Sequence, residues 1–245
     1  MSVAAAAAPP AGPAHGGGHA VRRATRAAVF VACLVPLALL ASRALGGRLG
    51  AEPIRAVELF TGTWTLNLLT ITLAVTPVRR LTRWNRLAGY RRMLGLFTFG
   101  YAALHFLTWF GVDQFFALKY IGQDIVKRPY ITVGFAAFLL LIPLAWTSRA
   151  AAVRRLGRRW AALHSLVYVV ALGGVVHFVW SAKADVATPT LYAVIIAGLL
   201  LLRLVPRGPR RTRAAPPTRR AAGPRRPSPD PTRAASPASA FPRSS

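Results

Sequence analysis

Two histidines lie in one of the most apolar stretches of the chain, RRWAALHSLVYVVALGGVVHFVW, which runs from Arg158 to Trp180. They are His164 and His177, and a third histidine, His105, lies in a similarly apolar stretch earlier in the chain. An imidazole is costly in hydrocarbon unless it faces the interior of a bundle and has a partner there. Its ring nitrogens can bind a metal, carry protons or hydrogen bond within the packing. These uses differ in the neighbours that they require.

The positions of the other ionisable residues argue against some of these uses. No predicted membrane-spanning segment carries a carboxylate in its core, and a proton relay or a cation transporter would favour Asp or Glu there. Zinc bound by three histidines is an alternative, although no Asp or Glu is placed to act as a base. The single cysteine, Cys33, lies inside the first apolar segment, so the sequence predicts neither a disulfide nor a cysteine-ligated metal cluster.

The elements that must hold these histidines are long apolar segments. Hydrophobic residues make up 54% of the 245 residues, and they occur in blocks close to the roughly 20 residues that cross a bilayer as a helix. The blocks are residues 27–45, 61–76, 93–111, 130–147, 160–181 and 187–205. The sequence therefore predicts an all-α polytopic membrane protein, with six transmembrane helices in one bundle over residues 25–206. Residues 1–24 and 207–245 lack an apolar period, which predicts disordered basic tails.

The distribution of the net charge of +26 is a topology signal. The loops at residues 77–92 and 148–159 carry arginines and no acid, whereas the intervening loops are nearly charge-balanced. Because lysine and arginine are concentrated in cytoplasmic loops, we expect the arginine-rich loops and both basic termini to be cytoplasmic. This topology accounts for the charge without nucleic acid, and it places arginines beside the anionic lipid of the inner leaflet.

Depth in the membrane separates the three histidines. On outward-running segments, His105 and His177 both fall in the outer half, whereas His164 falls near the inner boundary. His164 and His177 are about 20 Å apart along a helix, which is too far to share one metal ion through bonds of about 2 Å each. Histidine is a standard axial ligand of haem iron. His105 and His177 lie at matching depth and can share one iron, which makes this pair the candidate for holding a haem.

Glycines near these histidines fit the same prediction. Gly95 and Gly100 make the third segment thinner, and Gly173 and Gly174 do so for the fifth. Such positions leave space beside a ligand, but small residues also let two helices pack closely. The glycines alone fit both interpretations equally well.

Five stretches occur in an order that is typical of one family: TGTWTLNLLTITLAVTPVRRLT, YRRMLGLFTFGYAALHFLTW, DIVKRPYITVG, LAWTS and RLGRRWAALHSLVYVVALGGVVHFVW. The blocks RRMLG…H, KRPYITVG and LGRRW..LH are together the most specific part. Over about residues 55–182, the chain resembles the MsrQ/YedZ family, the haem-binding membrane subunits of the bacterial periplasmic methionine sulfoxide reductase system. That family lies within the ferric reductase-like transmembrane group, which includes the membrane part of NADPH oxidases.

The resemblance implies a function and a set of cofactors. Family members take electrons from the quinone pool or a flavin reductase and pass them across the bacterial inner membrane. The acceptor is MsrP, a soluble molybdopterin enzyme that repairs oxidised methionines in periplasmic proteins. The family's cofactors are haem b and FMN, and haem ligation carries over to His105 and His177, with His164 as a third family histidine. FMN rests on the resemblance alone, and the chain is expected to have no substrate-converting site of its own.

One position departs from the NADPH oxidase pattern, in which the third and fifth spans each carry two histidines that hold two haems. Here Arg91 or Arg92 occupies the inner position of the third span, so His164 has no obvious histidine partner. His164 with Arg91 or Arg92 is a candidate inner site for a haem propionate, a quinone or a flavin phosphate. An arginine that only marks the cytoplasmic side explains the pattern equally well. The sequence shows no NADPH- or FAD-binding domain, so we expect another molecule to supply the electrons.

Two other functions stay open from the sequence. One is a generic cytochrome b subunit or a ferric reductase-like metal reductase of the same fold. The other belongs to a different class, a haem-free transporter whose histidines bind substrate or protons. The visible absorption spectrum of the purified protein separates them, because only the transporter lacks a Soret band.

The arginine distribution predicts where each loop lies. Reporter fusions after Arg86 and Arg155 should give a cytoplasmic signal, and a fusion after Gln123 should give a periplasmic one, because only the first two lie in arginine-rich loops. Fusions to alkaline phosphatase and to green fluorescent protein at the same positions provide complementary readouts. A periplasmic signal from the Arg155 fusion would contradict the depths assigned to His164 and His177.

Overall fold

The computed structural model describes residues 17–182 and 186–204, and almost all of these residues are helical. The α-helices are α1 (Gly17–Leu45), α2 (Pro53–Thr82), α3 (Arg91–Leu107), α4 (Leu118–Lys127), α5 (Pro129–Trp146), α6 (Ala150–Leu156), α7 (Arg158–His164), α8 (Val167–Ser181) and α9 (Ala187–Leu204). A 3-10 helix at Asn85–Gly89 precedes α3, and a π-helix at Thr108–Asp113 continues it. The described ranges contain no β-strand.

Five helical segments are long and apolar enough to cross a membrane: Ala20–Leu45, Pro53–Thr82, Arg91–Asp113, Pro129–Trp146 and Arg158–Ser181. The sixth predicted span is present as the shorter apolar helix Ala187–Arg203. The prediction of an all-α polytopic membrane protein is thereby confirmed.

The helix boundaries differ from the predicted spans in two places that affect the site. Helix α2 begins at Pro53 rather than at residue 61, because proline is well suited to a first helical turn. The fifth span is two helices, since α7 ends at His164 and α8 begins at Val167. A turn at residues 165–166 therefore separates His164 from the helix that carries His177.

The tails lie mostly outside the described residues. Helix α1 begins at Gly17, so residues 17–24 of the predicted N-terminal tail are helical. This stretch is rich in alanine and arginine, which have high helix propensity. Residues 1–16 and the whole predicted tail at residues 207–245 are outside the described part of the chain.

The core lies among α2, α3, α5, α8 and α9. Leu73, Ala171 and Ile196 are its most completely buried apolar side chains. A second cluster joins α1 to α2 and α3, and there the Tyr101 hydroxyl donates to the carbonyl of Cys33 at 2.9 Å. The side chain of Cys33 is buried in this second cluster.

Packing between α2 and the rest of the core predicts a stability effect. Leu73 is 1% exposed, whereas Ile71 on the same helix is 47% exposed. Leu73→Ala should lower the free energy of unfolding by about 2 kcal/mol, because the cavity that it leaves cannot collapse fully. Ile71→Ala is the matched control and should change stability little. Thermal denaturation of both variants in one detergent makes the comparison, and equal losses would contradict this description of the core.

Candidate metal centre

His105 and His177 lie on neighbouring helices of the bundle with their rings close together. The ring centroids are 6.1 Å apart and the ring planes meet at 77°. Two histidine–metal bonds of about 2 Å each, on opposite sides of one ion, would hold the bonding nitrogens about 4 Å apart. Adding the distance from each nitrogen to its ring centre gives a centroid separation close to the one observed. The pair therefore has the spacing of two axial ligands to a single metal ion.

The hydrogen bonds of the two rings leave the same nitrogen free on each. His105 Nδ1 lies 2.9 Å from the Glu58 carbonyl, and His177 Nδ1 lies 2.7 Å from the Tyr130 carbonyl. A carbonyl oxygen only accepts hydrogen bonds, so each Nδ1 carries the proton and each Nε2 keeps a lone pair. Donation from the non-ligating nitrogen to a carbonyl is the usual support of a metal-bound histidine.

A cavity of about 650 Å³ lies between the helices that carry these rings. Its walls are mostly apolar and include Leu66, Ala102, Phe138 and Val170. The volume is within the roughly 300–1,000 Å³ that is typical of sites for small molecules and cofactors. A largely apolar cavity beside two imidazoles with free Nε2 atoms fits an iron porphyrin well.

Charged residues surround the mouth of the cavity, at the end of the bundle away from the arginine-rich loops. Arg55 and Arg128 are the basic residues there, and they pair with Glu52 at 3.8 Å and with Asp124 at 3.2 Å. Both are exposed. They are the side chains available to the carboxylates of a macrocycle whose polar edge faces the mouth.

Glu58 corrects one sequence interpretation. With the second span predicted over residues 61–76, Glu58 falls in the preceding loop, and no carboxylate is expected in the core of a span. Because α2 begins at Pro53, Glu58 lies inside the helix and lines the cavity. Its Oε1 is buried and has no hydrogen-bond partner among the described residues. A proline shortly before an apolar run is the signal that would have placed it in the helix.

Aromatic rings form the wall between α3 and α5. Phe106 stacks on Phe138 with centroids 4.7 Å apart and on Phe135 at 5.8 Å, and Phe138 stacks on Phe99 at 6.1 Å. Phe106 follows His105 directly in the chain, and with Phe135 and Phe138 it makes that side of the cavity apolar.

The glycines singled out in the sequence do not border the two imidazoles. A Cβ atom on Gly95 or Gly100 would lie in open space, with no atom of a neighbouring helix within 4 Å among the described residues. On Gly173 it would meet the Ala137 side chain at 3.3 Å, and on Gly174 a methyl carbon of Leu66 at 3.2 Å. Gly173 therefore serves close packing between helices, whereas Gly174 packs against Leu66 and also lines the cavity.

His164 lies at the other end of the bundle with its own partners. Its Nε2 is 3.0 Å from Thr147 Oγ1, and the Thr147 hydroxyl donates to the Pro143 carbonyl at 2.6 Å. The threonine proton is thus committed, so the imidazole Nε2–H is the donor and Nδ1 keeps the lone pair. Trp160 stacks on the ring at 4.1 Å.

The two arginines proposed with His164 have different surroundings. Arg91 is close enough to His164 to interact with it electrostatically, and it also interacts with Arg203 and Tyr168. Arg92 instead lines a groove beside α1, together with Arg23 and Arg26. The structure therefore favours Arg91 over Arg92 as the neighbour of His164.

Arg203 is a member of this inner group that the sequence analysis missed. It donates to the Tyr168 hydroxyl at 2.7 Å and to the Leu73 carbonyl, and its guanidinium carbon lies 5.2 Å from the centre of the Tyr168 ring. Its Nε is buried without a hydrogen-bond partner. In the sequence, an arginine at the end of the last span looks like any other cytoplasmic boundary charge.

The three histidines do not form a single metal site. Within residues 17–182 and 186–204, no three His, Cys, Asp or Glu side chains lie close enough together to hold one metal ion. The arrangement is one opposed pair at one end of the bundle and one histidine with basic neighbours at the other. A three-histidine zinc site has no geometric support in this part of the chain.

The chain matches a protein family and is also similar to individual known proteins. Residues 61–175 match the family described as ferric reductase like transmembrane component. A protein of Herminiimonas arsenicoxydans is 51% identical over 72% of this chain and 82% of its own length. A Rhodospirillum rubrum protein is 52% identical over 75% and 89%, and a Ralstonia nicotianae protein is 53% identical over 74% and 85%. All three are named protein-methionine-sulfoxide reductase heme-binding subunit MsrQ.

Proposed function

Since this chain belongs to the MsrQ family, we propose that it is a haem-binding membrane subunit that passes electrons to a periplasmic methionine sulfoxide reductase. The observation that carries the proposal is the opposed pair His105 and His177, whose ring centroids lie 6.1 Å apart beside an apolar cavity. The protein itself then converts no substrate. It transfers electrons for a partner that does.

The residues assigned to haem b have complementary tasks. His105 and His177 would bind the iron through Nε2, and the carbonyls of Glu58 and Tyr130 accept hydrogen bonds from the other ring nitrogens. Haem iron supplies one-electron redox chemistry, with a potential set by its axial ligands and surroundings. The aromatic wall around Phe106 keeps water away from the site. A low local dielectric and fixed ligands are the means by which a protein tunes such a potential.

The inner end of the bundle is the proposed entry point for electrons. Arg91 and Arg203 bring positive charge near His164, and Trp160 provides a flat ring surface there. These groups suit an anionic or aromatic donor such as a quinol or a reduced flavin. FMN stays a prediction from the family resemblance. With the arginine-rich loops cytoplasmic, the protein lies in the bacterial inner membrane with both termini inside.

The opposite end is the proposed exit. The cavity mouth at Glu52, Asp113 and Arg128 opens away from the arginine-rich loops, so a soluble periplasmic partner can approach the proposed haem there. Both acidic and basic residues line this mouth. Docking should therefore depend less on ionic strength than binding to a patch of one charge.

Substitution of the histidines tests the site assignment. His105→Ala and His177→Ala should each abolish or strongly alter the haem spectrum, because the iron loses an axial bond. His164→Ala is the matched control and should retain more haem while slowing haem reduction. Haem and iron per polypeptide, with the visible spectrum, give the readout. If His164→Ala removes haem as completely as the other two variants, the assignment of a single outer haem is wrong. A wild-type protein without a Soret band would instead favour the haem-free transporter.

Direction and partner are tested by following haem oxidation. Reconstituted protein with pre-reduced haem should return to the ferric spectrum when oxidised periplasmic reductase and methionine sulfoxide are added without oxygen. The process should continue over many turnovers while a quinol or reduced flavin is supplied. Stopped-flow absorbance measures both steps. Haem that stays reduced with this partner but is oxidised by ferric chelates would favour the metal reductase function.

A further inference from the structure

His105 and His177 are held by the same kind of hydrogen bond. In each case a histidine on one helix donates to a backbone carbonyl on the neighbouring helix, Glu58 for His105 and Tyr130 for His177. The accepting residue precedes the histidine by 47 residues in both cases. A phenylalanine follows each histidine directly. The unit made of α2 and α3 therefore recurs in the unit made of α5 and α8.

A glycine follows each accepting carbonyl by one helical turn. Gly62 follows Glu58, and Gly134 follows Tyr130. Residues four apart lie on the same helix face, one above the other, so a side chain at the later position would stand beside the earlier carbonyl. The imidazole occupies that space in both units.

The distances show how tightly each ring fits. A Cβ on Gly134 would lie 2.5 Å from His177 Nδ1 and 2.8 Å from its Cε1. A Cβ on Gly62 would lie 3.3 Å from His105 Nδ1 and 3.2 Å from its Cε1. The first contact is impossible without moving the ring, and the second requires a displacement of a few tenths of an ångström. The two glycines thus make room for the rings to different extents.

Backbone conformation does not account for these glycines. Both lie inside helices, and neither is among the residues with positive φ. Glycine at such a position costs a helix about 1 kcal/mol relative to alanine. Other helical glycines, such as Gly95 and Gly100, have open space where a Cβ would lie. What distinguishes Gly62 and Gly134 is the imidazole against them.

We propose that Gly62 and Gly134 are positioning residues for the two axial imidazoles. Each glycine keeps the carbonyl one turn earlier open to the Nδ1–H of the histidine, which fixes the tautomer and the rotation of the ring. The two bonds together set the angle of 77° between the ring planes. They also make each imidazole a more basic ligand, which favours ferric over ferrous iron and lowers the haem potential. This inference rests on the haem site proposed above.

The test compares Gly134→Ala and Gly62→Ala with the control Gly100→Ala in the full-length protein in detergent. Three quantities are measured: haem per polypeptide, the g-values of the ferric haem by electron paramagnetic resonance, and the midpoint potential. Gly134→Ala should lose haem or show changed g-values and a more positive potential. Gly62→Ala should keep its haem and show a smaller positive shift. Gly100→Ala should match the wild type.

The outcomes separate this inference from the function on which it rests. If the wild type shows no bis-histidine spectrum, the proposed haem site is wrong. If the wild type does show it and Gly134→Ala has the same g-values and potential as Gly100→Ala, the positioning role alone is wrong. Should Gly134→Ala fail to accumulate, Gly62→Ala decides, and an unchanged potential in that variant overturns the inference. Because alanine is the better helix former, lost helix propensity does not explain a defect in either variant.

Discussion

The arrangement of this bundle depends on how an imidazole can be held inside hydrocarbon. Every polar group there needs a partner within the protein, since the membrane supplies none. For His105 and His177 the partner is a helix carbonyl that bonds the ring through Nδ1. This hydrogen bond keeps the proton on Nδ1 and leaves the lone pair of Nε2 able to bind a metal. It also requires neighbouring helices to approach closely enough for a ring to reach the backbone, and this requirement sets the spacing of α2 against α3 and of α5 against α8.

The two ends of the bundle meet the same requirement in different ways. At the end with His105 and His177, backbone carbonyls and apolar walls surround two rings whose centroids lie 6.1 Å apart. At the other end, a side-chain hydroxyl accepts from His164, and arginines lie nearby with no acidic partner in the described part of the chain. The first environment suits a buried metal cofactor, and the second suits an anion or a flat redox molecule that arrives from outside. A protein that moves electrons between two partners on opposite sides of a membrane needs two such unlike ends.

Sequence reasoning placed the histidine pair because depth follows from helix rise and loop charge, which do not depend on packing detail. It did not find the groups that orient the pair, for a physical reason. The acceptors are main-chain carbonyls, so the identities of Glu58 and Tyr130 carry no signal, and Gly62 matters only once the neighbouring helix is in place. The position of Glu58 in a helix depended on whether α2 starts at Pro53. The turn after His164 interrupts a run of apolar residues that reads as one continuous span.

The unit made of α2 and α3 and the unit made of α5 and α8 differ at the inner end of the bundle. Arg92 stands before His105 at the same separation at which His164 stands before His177. A histidine in place of Arg92 would give each unit a histidine at the equivalent inner position. Instead Arg92 lines a groove beside α1, and His164 bonds Thr147 on the neighbouring helix α5 of its own unit. The two units are therefore alike around His105 and His177 and differ at the inner end. A guanidinium cannot give up its proton to become a ligand at neutral pH, so Arg92 is no counterpart ligand to His164. The positive charge that acts on His164 comes instead from Arg91 on α3.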